Sequence, residues 1–132
     1  MSIFDPNVAK RVVDYILSTN DDILAVSIID MKGNILAANS DHVRKELGVS
    51  VNEDKYNITL VVSALSLIHV TRDIIEEAKA VITIHKDCKL MLLPLPSFQI
   101  LVGLILRGSV NAVDYNIANK IERLIADTLW HI

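Results

Sequence analysis

The sequence predicts an α+β fold in three layers, helix, sheet, helix, around a five-stranded antiparallel sheet. Three observations point there. First, Ile23–Ile29 and Ile100–Leu106 are apolar at nearly every position instead of alternating, as in strands buried on both faces. Second, the strand-like segments fall into a pair and a triplet, separated by one long helical pattern at Tyr56–Ala78. Third, helical patterns also open and close the chain. The predicted order is helix-strand-strand-helix-strand-strand-strand-helix.

Asp5-Pro6 starts the first helix, with Asp as N-cap and Pro at the first helical position. Val8, Val12 and Ile16, then Ala9, Val13 and Leu17, recur at helical spacing to about Ser18. Asp21 and Asp22 separate this helix from the strand Ile23–Ile29. A tight turn at Asp30–Asn34 follows, in which Gly33 can adopt positive φ and Asp30 and Asn34 can bond their own backbone. Ile35–Asn39 then pairs back as a hairpin.

Ser40–Asp54 is polar and reads as a short helix, Asp41–Leu47, capped by Gly48, plus a loop. The long helix starts near Asp54 or Asn57. Glu76 and Glu77 stand near its end, where the helix dipole disfavours them. The three later strands are Ala80–His85, Lys89–Leu95 and Phe98–Leu106, with turns at Lys86-Asp87 and Pro96-Ser97. Pro94 and Pro96 lack N–H groups, so pairing is expected to fade near Leu93. Gly103, inside an apolar strand, marks a bulge or a close approach. Asn111–Trp130 closes the chain as a helix with Val113, Ile117, Ile121, Leu124, Ile125 and Leu129 on one face.

The long helix is apolar on too many sides for one sheet face to cover. Leu60, Leu67, Ile74 and Ala78 make one stripe. Ile58, Val61, Leu65, Ile68 and Ile75 make another, about a third of a turn away. Only Ser63, Ser66, Asp73 and Glu77, with Thr59 nearby, form a polar seam. The second stripe needs another partner, and a copy of the same helix is the simplest one.

Composition supports this expectation. The 132 residues suggest one domain spanning 1–132. They are 52% hydrophobic, with a mean hydropathy of +0.40. No apolar run approaches the roughly 18–20 residues of a membrane span, so the excess points to an oligomer. A net charge of −3 and 5% aromatic residues argue against a dedicated nucleic-acid binder. The single cysteine, Cys88, excludes an intrachain disulfide framework and fits a reducing compartment. With no signal-peptide pattern at the N-terminus, the expected location is the cytoplasm.

No catalytic arrangement emerges. His42, His69, His85 and His131 share no metal-ligand spacing with one another, and His85 with Cys88 supplies only two ligands. Ser27, Ser63 and Ser66 lie in apolar segments without a nucleophile elbow. Glu76-Glu77 and Asp21-Asp22 are adjacent pairs that read as solvated ends, not an acid and a base facing one site. Phosphate-cradling glycine loops are absent. No enzyme, metal or cofactor is expected.

The element order, the hairpin Ile23–Asn39, the run Lys89-Leu-Met-Leu-Leu-Pro-Leu-Pro leading into Phe98–Leu106, and the closing helix with Ile117, Ile121 and Leu124 resemble the roadblock/dynein light chain family. The resemblance covers about Asp21–Leu129. It implies a non-enzymatic dimeric regulator or adaptor, a platform for a Ras-like small GTPase. The partners it implies are a second copy or a related roadblock-like chain, and the GTPase. It places the dimer surface on Val61, Leu65, Ile68, Arg72 and Ile75 of the long helix and Val81, Thr83 and His85 of the next strand. Leu65→Asp or Ile68→Asp should then give a monomer. The Ser40–Asp54 insertion and the long first helix depart from the family pattern. Asp30-x-x-Gly33-x-Ile35-x-x-x-Asn39, with Gly48 later, is also similar to the start of PAS domains. That alternative implies a small-ligand sensor, and it fits less well with a single long helix.

Overall fold

The first helix begins as its sequence dictates. The Asp5 carboxylate accepts a 2.9 Å hydrogen bond from the Val8 amide, and Pro6 takes the first helical position. The computed structural model describes residues 5–43, 57–108 and 113–130. Helix α1, Pro6–Thr19, buries Val8, Ala9, Val12, Val13 and Ile16. Its last turn is tied off by the Ser18 and Thr19 hydroxyls, which donate to the Tyr15 and Ile16 carbonyls.

Strands β1 (Ile23–Asp30) and β2 (Ile35–Asn39) form the hairpin. Its turn is held by Asp30: one carboxylate oxygen accepts from the Lys32 and Asn34 amides, each at 2.9 Å, and the other from the Asn34 side-chain amide at 3.1 Å. Gly33 sits at φ +88°, a conformation that costs an L side chain about 1–2 kcal/mol. Helix α2 is Asn57–Ile74, β3 is Val81–Ile84 and β4 is Cys88–Leu95. A 3₁₀ turn at Pro96–Phe98 leads into β5, Ile100–Arg107, and α3 is Val113–Trp130. The sheet order is β2-β1-β5-β4-β3, antiparallel throughout.

Both faces of the sheet are covered, as the unbroken apolar strands require. Val26 and Ile28 of β1, Met91, Leu93 and Leu95 of β4, and Ile100, Val102, Leu104 and Leu106 of β5 pack against α1 and against Ala118, Ile121 and Ile125 of α3. On the opposite face, Ile29, Leu92 and Leu101 meet Val61 and Ala64 of α2. Each large aliphatic side chain fully buried this way contributes about 1.5–3 kcal/mol.

Several expected boundaries move, for identifiable reasons. Helix α2 ends at Ile74, before Glu76 and Glu77, and the Glu77 carboxylate pairs with Arg72 of the last turn. Strand β4 pairs through Pro94↔Leu101 to Leu95↔Ile100 and does not fade at Leu93. Pro94 lies beyond the last β3 pair, Val81↔Leu92, so β4 has an open side to which a residue without an N–H can turn. The last strand starts at Ile100, because Gln99 leaves the 3₁₀ turn in a left-handed conformation, φ 57°. No bulge occurs at Gly103, whose pairing with Ser27 and Leu92 is regular; the β1–β5 register shifts between Ile23 and Ala25. Of the polar stretch after β2, helix is seen at 41–43. Gly48, Asp54 and the rest of the expected short helix lie outside the described residues.

Candidate interaction surface

Helix α2 carries the surface. Its central contact with the sheet is Ala64, fully buried, flanked by Val61 and Ile68. Leu60 and Leu65 are half-buried at the margins of the same contact. The opposite side of the helix leaves Ile58, Val62, Leu67, Val70 and Ile74 about half exposed or more. Ile75, just past the helix, is 80% exposed. These residues form apolar ridges at helical spacing, interleaved with the exposed Thr59, Ser63, Ser66, His69 and Asp73.

Neighbouring elements fix how α2 lies. At its N-terminal end, the Cβ position of Gly33 is 3.0 Å from the Ile58 backbone nitrogen and Cβ, so the hairpin turn abuts the first turn of the helix. At its other end, Leu65, Ile68 and Arg72 share a small cleft with Ala78, Pro94 and Pro96. The helix therefore runs across one end of the sheet from the β1–β2 turn to the β4 exit. It leaves the rest of that face to other groups.

Strand β3 is the edge beside it. Among the described residues it pairs only with β4, and its other side offers unpaired backbone donors and acceptors. Its sequence, Val-Ile-Thr-Ile, has none of the charges or prolines that commonly blunt an edge. Val81 packs into the α2 cluster, and Thr83 and His85 follow at period two on the same face. The Thr83 hydroxyl and His85 Nε2 are 2.9 Å apart. Ile84 projects from the other face, 72% exposed.

The residues assigned from sequence thus divide. Arg72, Ile75, Thr83 and His85 are exposed or nearly so, and Leu65 and Val81 are half-buried. Arg72 pairs with Glu77 at 3.0 Å, an exposed bridge of the kind worth about 0–1 kcal/mol. Val61 at 2% and Ile68 at 9% exposure turn into the chain's own core, so neither is free to meet a partner. Sequence reasoning did not single out the exposed Val62 and Val70 and set Ile58, Leu67 and Ile74 within its two stripes without saying which pointed out. The usable signal was the polar seam itself: Ser63 and Ser66 mark the outward direction, so the apolar residues beside them are the outermost.

A second feature went unread. On the α1/α3 face, Lys89 of β4 forms a 2.8 Å ion pair with Asp114, in the first turn of α3; their side chains are 3% and 5% exposed. Asp114 also stands where the dipole of α3 favours an anion. The pair clamps α3 to the sheet. At the hairpin, burial raises the pKa of Asp30, but hydrogen bonds from Asn34 and Lys32 and the Lys32 charge outweigh it and leave the carboxyl below its ordinary value. No group of three or more His, Cys, Asp or Glu side chains suited to a metal ion occurs among the described residues. No helix there is long and apolar enough to cross a membrane.

No family model matches the sequence, and no curated protein matches it significantly. Solved structures do match. Myxococcus xanthus MglB superposes with a TM-score of 0.68 at 11% identity, covering 98% of this chain and 90% of that one. The gliding protein MglB from Thermus thermophilus gives 0.68 at 14% identity, covering 96% and 93%. A Roadblock/LC7 domain from Streptomyces avermitilis gives 0.63 at 6% identity, covering 89% and 92%. The chain has the roadblock fold over nearly its whole length.

Proposed function

We propose that this chain is a non-enzymatic dimeric scaffold that regulates or presents a Ras-like small GTPase. Its two-fold contact is built from the outward face of α2 and the open edge of β3. The carrying observation is the exposure of Ile58, Val62, Val70 and Ile74 on a helix whose inner side packs beside an uncharged, unpaired edge strand. An apolar helix face beside an open edge is a hazard for a monomer, and pairing two copies removes both exposures together. The roadblock fold supports the reading, since the family resemblance implies a GTPase platform. A related roadblock-like chain could take the second copy's place. The partner set contains no nucleic acid and no cofactor.

Burial changes which substitutions test this. Ile68→Asp would place a carboxylate in the core and destabilise the monomer, so it does not isolate dimerisation. Val70→Asp with Ile74→Asp changes only exposed positions. Light scattering should give twice the 14.7 kDa chain mass for the wild type and the single-chain mass for the double variant, with unchanged circular dichroism. A wild type that stays monomeric at about 100 μM, well above the micromolar range of ordinary protein contacts, removes the homodimer and leaves only pairing with a related chain. A double variant that remains dimeric removes the α2 contact. Retention of a purified Ras-like GTPase by the dimer, with bound nucleotide controlled, then tests the partner.

A further inference from the structure

We propose that the part of the sheet face that α2 leaves open is a binding site for a compact, uncharged apolar molecule carrying one hydrogen-bond acceptor. Because α2 crosses only one end of the sheet, a cavity of about 300 Å³ remains beside it, at the small end of ligand pockets. Two cross-strand rows make its floor. One is Ser27, Gly103 and Leu92, next to Leu60 of α2; the other is Ala25, Ile105 and Leu90, leading to Cys88 and His85 at the strand ends.

The polar features of this floor are specific. Ser27 is set in an otherwise apolar strand, and its hydroxyl makes no hydrogen bond among the described residues. Gly103, directly across the ladder, preserves the space around it: a Cβ there would sit 3.0 Å from Ser27 Oγ. A hydroxyl in this position offers one donor to a ligand acceptor. The lining also rejects charge. Lys89 borders the cavity, but its ammonium is committed to Asp114 on the opposite face. His85 is exposed at the mouth, with Nε2 at the Thr83 hydroxyl. A carboxylate at Ser27 would therefore be desolvated without a cation. An aliphatic ketone, ester or alcohol meets all of these conditions. The site borders the proposed dimer surface through Leu60 of α2 and His85 at the end of β3, and its floor lies on β1, β4 and β5.

The test titrates the full chain with 2-octanone, 1-octanol and octanoate, read by amide and methyl shifts and by thermal stabilisation. The two neutral probes should bind saturably and shift Ser27, Gly103 and Ile105, while octanoate should not. Leu90→Trp, which fills the cavity from a half-buried position, should abolish binding with secondary structure retained. Ser27→Ala should weaken binding about fivefold, the worth of one neutral hydrogen bond; this variant decides the matter if Leu90→Trp fails to fold. Absence of saturable binding by either neutral probe, equal binding of octanoate, or wild-type affinity in Leu90→Trp or Ser27→Ala overturns the proposal. Solution mass measured on the same samples keeps this outcome separate from the dimer reading.

Discussion

The buried pair of Lys89 and Asp114 allows the sharpest test of how this fold holds its last helix. Asp114→Leu removes the carboxylate and leaves the Lys89 ammonium in a site where its side chain is only 3% exposed. Losing one member of such a pair costs about 3–5 kcal/mol. Loss of a negative charge from the first turn of α3 adds about 0.3–1 kcal/mol. Lys89→Met leaves a carboxylate that still faces the positive end of α3, so it should cost about 1 kcal/mol less than Asp114→Leu. The double variant replaces both charges by apolar groups and should return to within about 1 kcal/mol of the wild type. Urea unfolding at one fixed protein concentration reads the cycle. With a slope of about 2 kcal/mol/M, Asp114→Leu should lower the midpoint by roughly 2 M. The reasoning fails if Asp114→Leu costs under about 1 kcal/mol, or if the double variant loses the sum of the two single changes, because the pair would then carry no coupling energy.

Three further outcomes follow from particular contacts. Gly33→Ala combines positive φ with a Cβ 3.0 Å from the Ile58 backbone nitrogen, and should destabilise the fold by about 2–3 kcal/mol in the same urea assay; a loss below about 0.5 kcal/mol would show that neither constraint holds. The Asp30 carboxyl should titrate below its ordinary 3.8 in an NMR pH series. Because its folded pKa is depressed, its contribution to stability is present above the unfolded value and is lost as pH falls through the folded one; a midpoint above 3.8 contradicts the hydrogen-bond account. Ala64→Leu should cost about 1–3 kcal/mol through overpacking against the sheet, while Val70→Ala on the exposed side should change stability by less than about 0.5 kcal/mol in the Ile74→Asp background, at a concentration where the solution mass is that of one chain.

What could be read in the sequence was what local chemistry decides. The Asp5-Pro6 helix start, the Asp30–Asn34 turn and the doubly buried strands each depend on residues within a few positions of one another, and each is where the pattern put it. The end of α2 was equally local, but the weak helix-end signal was overridden by the helical spacing of Leu67, Ile74 and Ala78. The Lys89–Asp114 pair was illegible for a different reason. Its members are far apart in sequence, and a lysine in a strand reads as an outward residue until a helix is known to cover that face.

The interaction surface shows where pattern reasoning reaches its limit and what extends it. A helix apolar on nearly every side has no amphipathic direction, so periodicity gives stripes without saying which one the sheet takes. Packing makes the choice. Ala64 is the small residue of the apolar arc and lies nearly opposite Ser66, so the helix can approach Leu101 and Leu92 most closely there, with Val61 and Ile68 straddling the contact. That approach turns Val62 and Val70 outward, away from the sheet. The stripe a partner would meet is set by where the helix is thinnest, and its larger aliphatic residues are left for the outside.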